Sequence, residues 1–519
     1  MKQETHAADN RLVKLVLPVT VFLTGACVLV IEVAAMRILS PYFGNTLYAT
    51  SSVLGVILGA LSLGYYLGGR LADKRPSRNL FYAIILSGGL LTFALQFFSL
   101  VFLPFIGYDL PITTGPLISS LFMFLLPGVA LGMLSPFAIK LQSLRFPESG
   151  TGTIAGEVFF WSTLGSIAGS LLTGFVLVPL FGLNATILGT AIFLSLLGGV
   201  PLVSRRLLRH NKLLLLLFAA VAMATSNSLL IASARENAIY TKDGIYERIK
   251  IFDDTDEPYS LGQPARFMLQ DRSNSSAMYL DSDELAFPYT RYYALYKGIK
   301  PDASRSLVLG GAAYSIPKAL LADSPAMKVD IAEIEPSLYE LAQQYFRLQP
   351  SPRLNNQIID GRRLLATTDK RYDVIFSDVY YSLYSIPAHF TTREFMQLTR
   401  DRLQPGGVFI ANLIGSVEQT TPSFILSEIK TIQSVYPQVH VFAVGSPEQK
   451  SAQNIILVGV NSKTPVDFGS PVFKDSPLAE MQTLQQHQLD LSGIDLSSHT
   501  ILTDNYAPVE YYMSKVLAE

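Results

Sequence analysis

Cysteine and histidine are scarce in this sequence, and their scarcity limits the chemistry it can support. A single thiol, Cys27, excludes a disulfide within the chain and any cysteine-rich zinc or iron–sulfur site. The six histidines show no close pairing, so we predict no metal cofactor. Basic charge is not in excess either, because the net charge is −1, and this argues against a nucleic-acid partner.

Charged residues are rare before residue 235 and common after it. Of the 81 Asp, Glu, Lys and Arg residues, 21 precede residue 235 and 60 lie in the 285 residues from there onward. With 49% hydrophobic residues overall, the chain is too apolar to be wholly soluble. We predict a membrane domain over 1–234, a small β-strand unit over 235–300 and a Rossmann-type domain over 301–519.

The predicted membrane domain contains seven apolar segments, each long enough for a helix of roughly 20 residues to cross a bilayer. Thirteen Lys and Arg residues lie in the amino-terminal segment and in the loops after spans two, four and six, whereas the other loops contain none. Because such residues accumulate on the cytoplasmic side, we predict a multi-pass protein of the bacterial inner membrane with a cytoplasmic amino terminus. Seven crossings then place the carboxyl-terminal half outside. The segments lie at about 13–39, 48–69, 80–106, 116–139, 158–181, 183–203 and 213–233.

An ionisable side chain, Glu32, lies near the middle of the first span. Such a group is costly in a bilayer and should face protein or water. Two interpretations stay open for it, a role in a substrate pathway and a structural hydrogen bond.

The second half has the pattern of a small antiparallel β unit followed by alternating strands and helices. The alternation from residue 306 onward predicts a doubly wound, mostly parallel sheet. In such sheets ligands bind beyond the carboxyl ends of the strands. Each of the residues at these ends is often only a helix cap when considered alone. Their occurrence at four successive strand ends favours a nucleoside-type ligand, and the residues are Gly310 with Gly311, Glu333, Asp360 and Asp378.

These strand ends lie in segments that resemble a known family in order and spacing. The segments VLGGAAYSIPKAL, VDIAEIEP, IIDGRR, YDVIFSDVYYS, AHFTTREF and LQPGGVFIANLI resemble the spermidine/spermine synthase (polyamine aminopropyltransferase) family. That family has the S-adenosylmethionine-dependent methyltransferase fold. EVAAMRILSPYFG, LGYYLGGRLADK and the terminal TDNYAPVEYY resemble its membrane-fused bacterial branch.

The resemblance implies roles for these residues and a co-substrate, decarboxylated S-adenosylmethionine or S-adenosylmethionine itself. Gly310 and Gly311 would line its methionine-like tail, Glu333 would bind its ribose and Asp360 its adenine amine. Asp378 matches the catalytic carboxylate. The residues implied to contact a small amine substrate are Tyr289 and Tyr381. The implied partners are this amine and the lipid bilayer, and a homo-oligomer is possible.

The sequence departs from the family pattern on the amine side of the site. Tyr381 occupies the position of the family's second carboxylate, and Ser275 that of an expected glutamine. Thr290 and Arg291 replace a His-Glu pair after Tyr289. A polyamine carries several positive charges, so the loss of two carboxylates and the gain of Arg291 predict weaker binding of such a substrate.

Two alternatives to an aminopropyltransferase therefore stay open. One is a transporter or sensor whose fused domain binds an adenosyl ligand without transfer, and the other is a methyltransferase with the same fold. The predicted topology adds a conflict, because adenosyl co-substrates are made in the cytosol and the charge rule places the domain outside. Whether the segment 213–233 crosses the membrane decides this point.

Overall fold

The computed structural model describes residues 2–516, except for 45, 108, 112, 203–237, 245, 256–261, 272, 381–385 and 419–421. The chain divides into two compact units, Met1–Asn237 and Ala238–Glu519. The predicted seventh span, at 213–233, lies outside the described residues.

The first unit contains helices joined by short connections, with no strand among its described residues before Leu202. Five segments are long and apolar enough to cross a membrane, namely Val16–Phe43, Leu47–Lys74, Arg78–Ile106, Gly115–Arg145 and Thr151–Leu202. They contain α1 (Lys2–Phe43), α2 (Leu47–Lys74), α3 (Arg78–Val101), α4 (Leu103–Ile106), α5 (Gly115–Gly132), α6 (Leu134–Arg145), α7 (Thr151–Leu172), a π-helical turn (Thr173–Leu177) and α8 (Val178–Leu202).

The fifth segment has 52 residues. At about 1.5 Å per residue this is more than twice the thickness of a bilayer core. Its backbone is not helical at Gly182, where φ is 78° and ψ is 169°. The first half packs along α1, with Gly165 against Phe22 and Gly169 against Ala26, so α7 runs in the same direction as α1.

The second half of this segment packs along α3 in the opposite direction. Gly198 of α8 lies against Leu86, and Gly89 of α3 lies against Ala191. Helices α1 and α3 run in the same direction, because the short connections 44–46 and 75–77 reverse the chain twice between them. Helices α7 and α8 therefore run in opposite directions, and the five segments form six antiparallel or parallel helical runs that correspond to the first six predicted spans.

The second unit begins with an antiparallel sheet and continues with a larger mixed one. The antiparallel sheet has the order β1-β2-β3-β4, and the mixed sheet has the order β10-β11-β9-β8-β5-β6-β7. The strands are β1 (Tyr240–Asp243), β2 (Arg248–Asp254), β3 (Ala265–Gln270), β4 (Ser273–Tyr279), β5 (Arg305–Leu309), β6 (Lys328–Glu333), β7 (Leu354–Ile358), β8 (Tyr372–Ser377), β9 (Leu403–Gly415), β10 (Gln438–Ala443) and β11 (Gln453–Val460).

Helices cover both faces of the mixed sheet. They are α9 (Pro288–Arg291), α10 (Tyr296–Ile299), α11 (Ser315–Asp323), α12 (Leu338–Tyr345), α13 (Gly361–Thr367), α14 (Arg393–Asp401), α15 (Phe424–Gln433), α16 (Pro471–Lys474), α17 (Ala479–Gln482), α18 (Leu484–His487) and α19 (Val509–Val516). Neighbouring strand residues face opposite cores, since Leu307 and Leu309 belong to one buried cluster and Val308 to the other. Burial on both faces explains the nearly continuous apolar runs of these strands.

Five neighbouring strands, from β9 to β7, are parallel, and β11 alone among the described strands of this sheet runs in the opposite direction, since it pairs antiparallel with both β9 and β10. This arrangement confirms the predicted doubly wound fold class. Strands β6 and β7 follow β5 on one side of it, and the next strand in the chain, β8, pairs with β5 on its other side. The strand order therefore switches between β5 and β8, and a ligand is expected at their carboxyl ends.

Candidate active site

A cavity of about 360 Å³ opens at this switch point. Its volume lies within the range of roughly 300–1,000 Å³ that small-molecule sites have. Six of the seven residues singled out from the sequence line it, while Tyr381 lies outside the described residues. The six are Gly310, Gly311, Glu333, Asp360, Asp378 and Tyr289.

The loop after β5 forms one wall and has an unusual backbone. Gly310 has a φ of +87°, and a Cβ there would collide with the carbonyl oxygen of Asp378. Ala312 and Tyr314 also have positive φ values, 43° and 59°. Backbone strain of this kind persists only where the surrounding structure imposes it. Here the loop directs the amides of Gly311 and Ala312 at Glu333.

Glu333 ends β6, and its carboxylate is buried and held by backbone amides. Oε2 accepts hydrogen bonds from the N–H groups of Gly311 at 2.7 Å and Ala312 at 3.3 Å, and Oε1 accepts one from Glu335 at 2.8 Å. Burial raises the pKa of Glu333, and these amides oppose the shift. Because each carboxylate oxygen has further lone pairs, Glu333 keeps acceptor capacity in a fixed orientation.

Asp360 caps a helix and also lines the cavity. Its Oδ1 accepts a hydrogen bond from the backbone N–H of Arg363, at 2.9 Å, at the start of α13. Its Oδ2 lies 3.1 Å from Nε2 of His389. Partial burial acts to raise the pKa of Asp360, but the bonds from His389 and Arg363 hold it below its ordinary value. His389 was not identified from the sequence, because its partner is 29 residues away.

Asp378, at the end of β8, is held between two hydrogen-bond donors. The hydroxyl of Tyr289 donates to Oδ2 at 3.1 Å, and Nδ2 of Asn412 donates to Oδ1 at 2.9 Å. Burial raises the pKa of Asp378, and these two bonds oppose the rise. Asn454 donates to Oδ1 of Asn412 at 2.9 Å, which orients the Asn412 amide towards Asp378. Neither asparagine was singled out from the sequence, although Asn412 interrupts the apolar run at the end of β9.

Two residues that depart from the family pattern, Arg291 and Ser275, make contacts outside the amine site. Arg291 pairs with Glu480 at 2.8 Å and donates to the carbonyl of Leu285 at 2.9 Å, and it does not line the cavity. Its charge is therefore compensated by Glu480 outside the cavity lining, and the weaker binding of a polyamine stays a prediction. Ser275 lines the cavity, but its hydroxyl donates to the carbonyl of Met268 at 3.1 Å.

Three polar side chains that were not predicted from the sequence also line the cavity. Gln270 donates a hydrogen bond to the buried carboxyl group of Glu247. Burial, and then the charges of Asp271 and Glu333, raise the pKa of Glu247 well above its ordinary value. Asn274 has a buried Oδ1 that finds no hydrogen-bond partner in the described part of the chain. Within that same part, no group of three or more His, Cys, Asp and Glu side chains could hold a metal ion.

Part of the chain is similar to proteins of known function. Residues 296–468 match the spermine/spermidine synthase domain. The chain is 29% identical over 223 residues to a polyamine aminopropyltransferase from Vibrio vulnificus. This alignment covers 42% of this chain and 66% of that protein. It is 27% identical over 417 residues to polyamine aminopropyltransferase 2 from Streptomyces coelicolor. That alignment covers 75% of this chain and 71% of that protein.

Among solved structures, the chain is similar to a probable spermidine synthase from Corynebacterium glutamicum. The alignment has a TM-score of 0.39 and 23% identity, and it covers 46% of this chain and 88% of that chain. The matched region of this chain spans just under two thirds of the Vibrio protein, at 66% of its length.

Proposed function

From the premise that the chain carries a spermine/spermidine synthase domain, we propose that it is a membrane-bound aminopropyltransferase. It would transfer the aminopropyl group of decarboxylated S-adenosylmethionine to a small amine. The observation that carries this proposal is Asp378, which lies at the strand-order switch between the donors Tyr289 and Asn412 and beside the Gly310 loop.

The cavity has groups that suit an adenosyl co-substrate. Glu333 is oriented to accept hydrogen bonds from the two hydroxyls of a ribose, and Asp360 to accept one from the adenine amine. Gly310 and Gly311 would allow the tail to approach the backbone. The unpartnered Oδ1 of Asn274 is a further acceptor for this ligand.

The reaction is a displacement at carbon. The amine lone pair forms a bond to the carbon attached to the sulfonium, the C–S bond breaks, and its electron pair leaves with the sulfur as methylthioadenosine. At neutral pH the free amine is almost fully protonated. A carboxylate at Asp378 can accept a proton and direct the lone pair, and the rest of the catalysis is in-line positioning.

The helical unit would anchor the enzyme in a bacterial inner membrane, with a cytoplasmic amino terminus. Within the second unit, the antiparallel sheet and the synthase domain would form separate parts, over 235–300 and 301–519. The transporter, sensor and methyltransferase alternatives gain no support from the site or from the relatives reported above.

An assay of the purified full-length protein tests the proposed reaction. With decarboxylated S-adenosylmethionine and putrescine, we expect one methylthioadenosine for each aminopropylated amine. Asp378→Asn should lower turnover by roughly 100-fold or more and leave co-substrate affinity nearly unchanged. Asp369→Asn, at an exposed position of the same unit, is the matched control. A wild-type protein that binds the co-substrate but transfers nothing to putrescine or spermidine would contradict the proposal.

A further inference from the structure

Asp504, near the carboxyl end of the chain, is bonded to residues that border the cavity. It accepts two hydrogen bonds from the guanidinium of Arg362, from Nη1 at 2.7 Å and from Nη2 at 2.6 Å, and a third from the hydroxyl of Thr392 at 2.7 Å. The backbone N–H of Asp504 donates to Glu394 at 3.0 Å. Paired bonds between an arginine and a carboxylate are strong and directional, so Asp504 fixes the orientation of Arg362.

Arg362 follows the cavity residue Asp360 by two positions, at the start of α13. Its guanidinium donates to Asp504 and to the carbonyl of His389 at 3.0 Å, and among the described residues Asp360 takes none of its hydrogen bonds. The bond to Asp504 raises the pKa of Arg362, and the charges of Glu394 and Asp360 raise it further. Asp360 is therefore within electrostatic range of a guanidinium that is bonded elsewhere.

The carboxylate of Asp360 has little capacity left for a further donor. Its Oδ1 accepts a hydrogen bond from the Arg363 N–H, and its Oδ2 contacts Nε2 of His389. Each carboxylate oxygen has one more lone pair, and the exocyclic amine of a bound adenine needs such an acceptor. Because a guanidinium donates to carboxylates in pairs, Arg362 would occupy both remaining positions if Asp504 released it. The acceptor capacity of Asp360 therefore depends on where Arg362 is held.

We propose that Asp504 is a positioning residue of the adenosyl site, which holds Arg362 away from Asp360 and so keeps an acceptor free for the exocyclic amine of adenine. The inference rests on the proposed function and concerns how the same site selects the purine base. Asp504 does not line the cavity and acts only through Arg362, which lies 142 residues earlier in the chain. Selection of adenine then depends on the segment around Asp504 as well as on the strand ends.

Calorimetry on the full-length protein tests the inference with two nucleosides, methylthioadenosine and the analogue whose purine lacks the 6-amino group. We expect the wild type to bind methylthioadenosine about 10-fold or more tightly than the analogue, in line with a hydrogen bond to a charged group. Asp504→Asn should remove this preference, because it weakens the binding of methylthioadenosine and leaves the affinity for the analogue nearly unchanged. A role of Asp504 confined to the packing of the cavity wall would weaken the binding of both nucleosides equally.

Removal of the competing guanidinium separates the two roles further. The double variant Asp504→Asn with Arg362→Gln should regain the preference, because no guanidinium then competes for Asp360. Asp253→Asn is the matched control, since it removes the carboxylate of another two-bond pair, with Arg266 at 2.7 Å and 2.9 Å, and it should behave as wild type. Asp504→Ser is a second neutral variant, and thermal unfolding reports whether each variant is folded.

Four results would overturn the inference. They are an unchanged preference in both neutral variants, an equal loss of affinity for the two nucleosides, a double variant that does not regain the preference, and a wild type that binds both nucleosides equally well. Failure of the proposed function is distinct from these results, because it appears as an absence of transfer in the assay above while the preference for methylthioadenosine persists.

Discussion

At the scale of single residues, the basicity of Asp378 depends on its burial and on two donors. Burial disfavours the carboxylate, while Tyr289 and Asn412 favour it by donating hydrogen bonds. Because its pKa is raised, Asp378 loses its proton at a higher pH than an ordinary aspartate, and only the deprotonated form can act as a base. Turnover should therefore increase with pH as Asp378 ionises.

Replacement of Asn412 by leucine tests this dependence on pH. Asn412→Leu removes a donor to the charged form, so the pKa of Asp378 rises further. The acidic limb of the kcat profile should move to higher pH by about one unit, which corresponds to the roughly 1.4 kcal/mol of a hydrogen bond to a charged group. Stopped-time assays over a pH series measure the shift, and Asn461→Leu, at the far end of the same sheet, should leave the limb in place. A shift of the limb to lower pH would contradict the assignment of Asp378 as the base whose ionisation it reports.

Glu333 offers a second test, this time of co-substrate binding. Glu333→Ala removes the acceptor that we propose for the ribose hydroxyls and leaves the amides of Gly311 and Ala312 without their partner. We expect a loss of about 1.5–3 kcal/mol in affinity for an adenosyl ligand, measured by calorimetry. Binding that is as tight as in the wild type would refute the ribose assignment.

At the scale of elements, helix packing in the first unit depends on close approach of α1 and α7. A Cβ on Gly165 would collide with the carbonyl oxygen of Phe22, so this position admits no side chain without a shift of one helix. Small residues at such contacts let two helix backbones meet in a bilayer. Together with the contact of Gly169 with Ala26, the contact at Gly165 shows that α7 runs in the same direction as α1.

The packing predicts that alanine substitutions at two glycines of α7 have different effects on thermal stability. Gly165→Ala should lower the thermal stability of the detergent-solubilised protein by several degrees, because α1 and α7 must separate. Gly156→Ala is the matched control, since a Cβ there meets nothing within 4 Å. Thermal unfolding followed by tryptophan fluorescence compares the two, with Trp161 on α7 as the probe. Equal melting temperatures would show that the helices do not pack in this way.

At the scale of the whole molecule, the number of membrane passes decides on which side of the membrane the second unit lies. If each of the six helical runs crosses the membrane, the chain is back on its starting side at Leu202. The side reached by Ala238 then depends on residues 203–237, which include the apolar segment 213–233 and lie outside the described part. By the charge rule and a seventh crossing, we predict that the second unit is outside the cytoplasm.

Reporter fusions after Glu519 test this sidedness. A reporter that is active only in the periplasm should work, and one that is active only in the cytoplasm should be silent. The same pair fused after Leu202 is the internal control, and there the cytoplasmic reporter should be the active one. The opposite result after Glu519 would mean that 213–233 does not cross, and the second unit would then face the cytosol, where the proposed co-substrate is made.

The sequence by itself determined the parts that depend on local pattern. Apolar length predicted the long helices of the first unit, and alternation of strands and helices predicted the doubly wound sheet and the residues at its strand ends. Only the tertiary structure decided which side chains meet there. Asn412, Asn454 and His389 contact their partners through strand order and loop placement, and Arg291 finds Glu480 189 residues away. Such contacts depend on the register between distant segments, which packing of the whole unit sets and no local periodicity encodes.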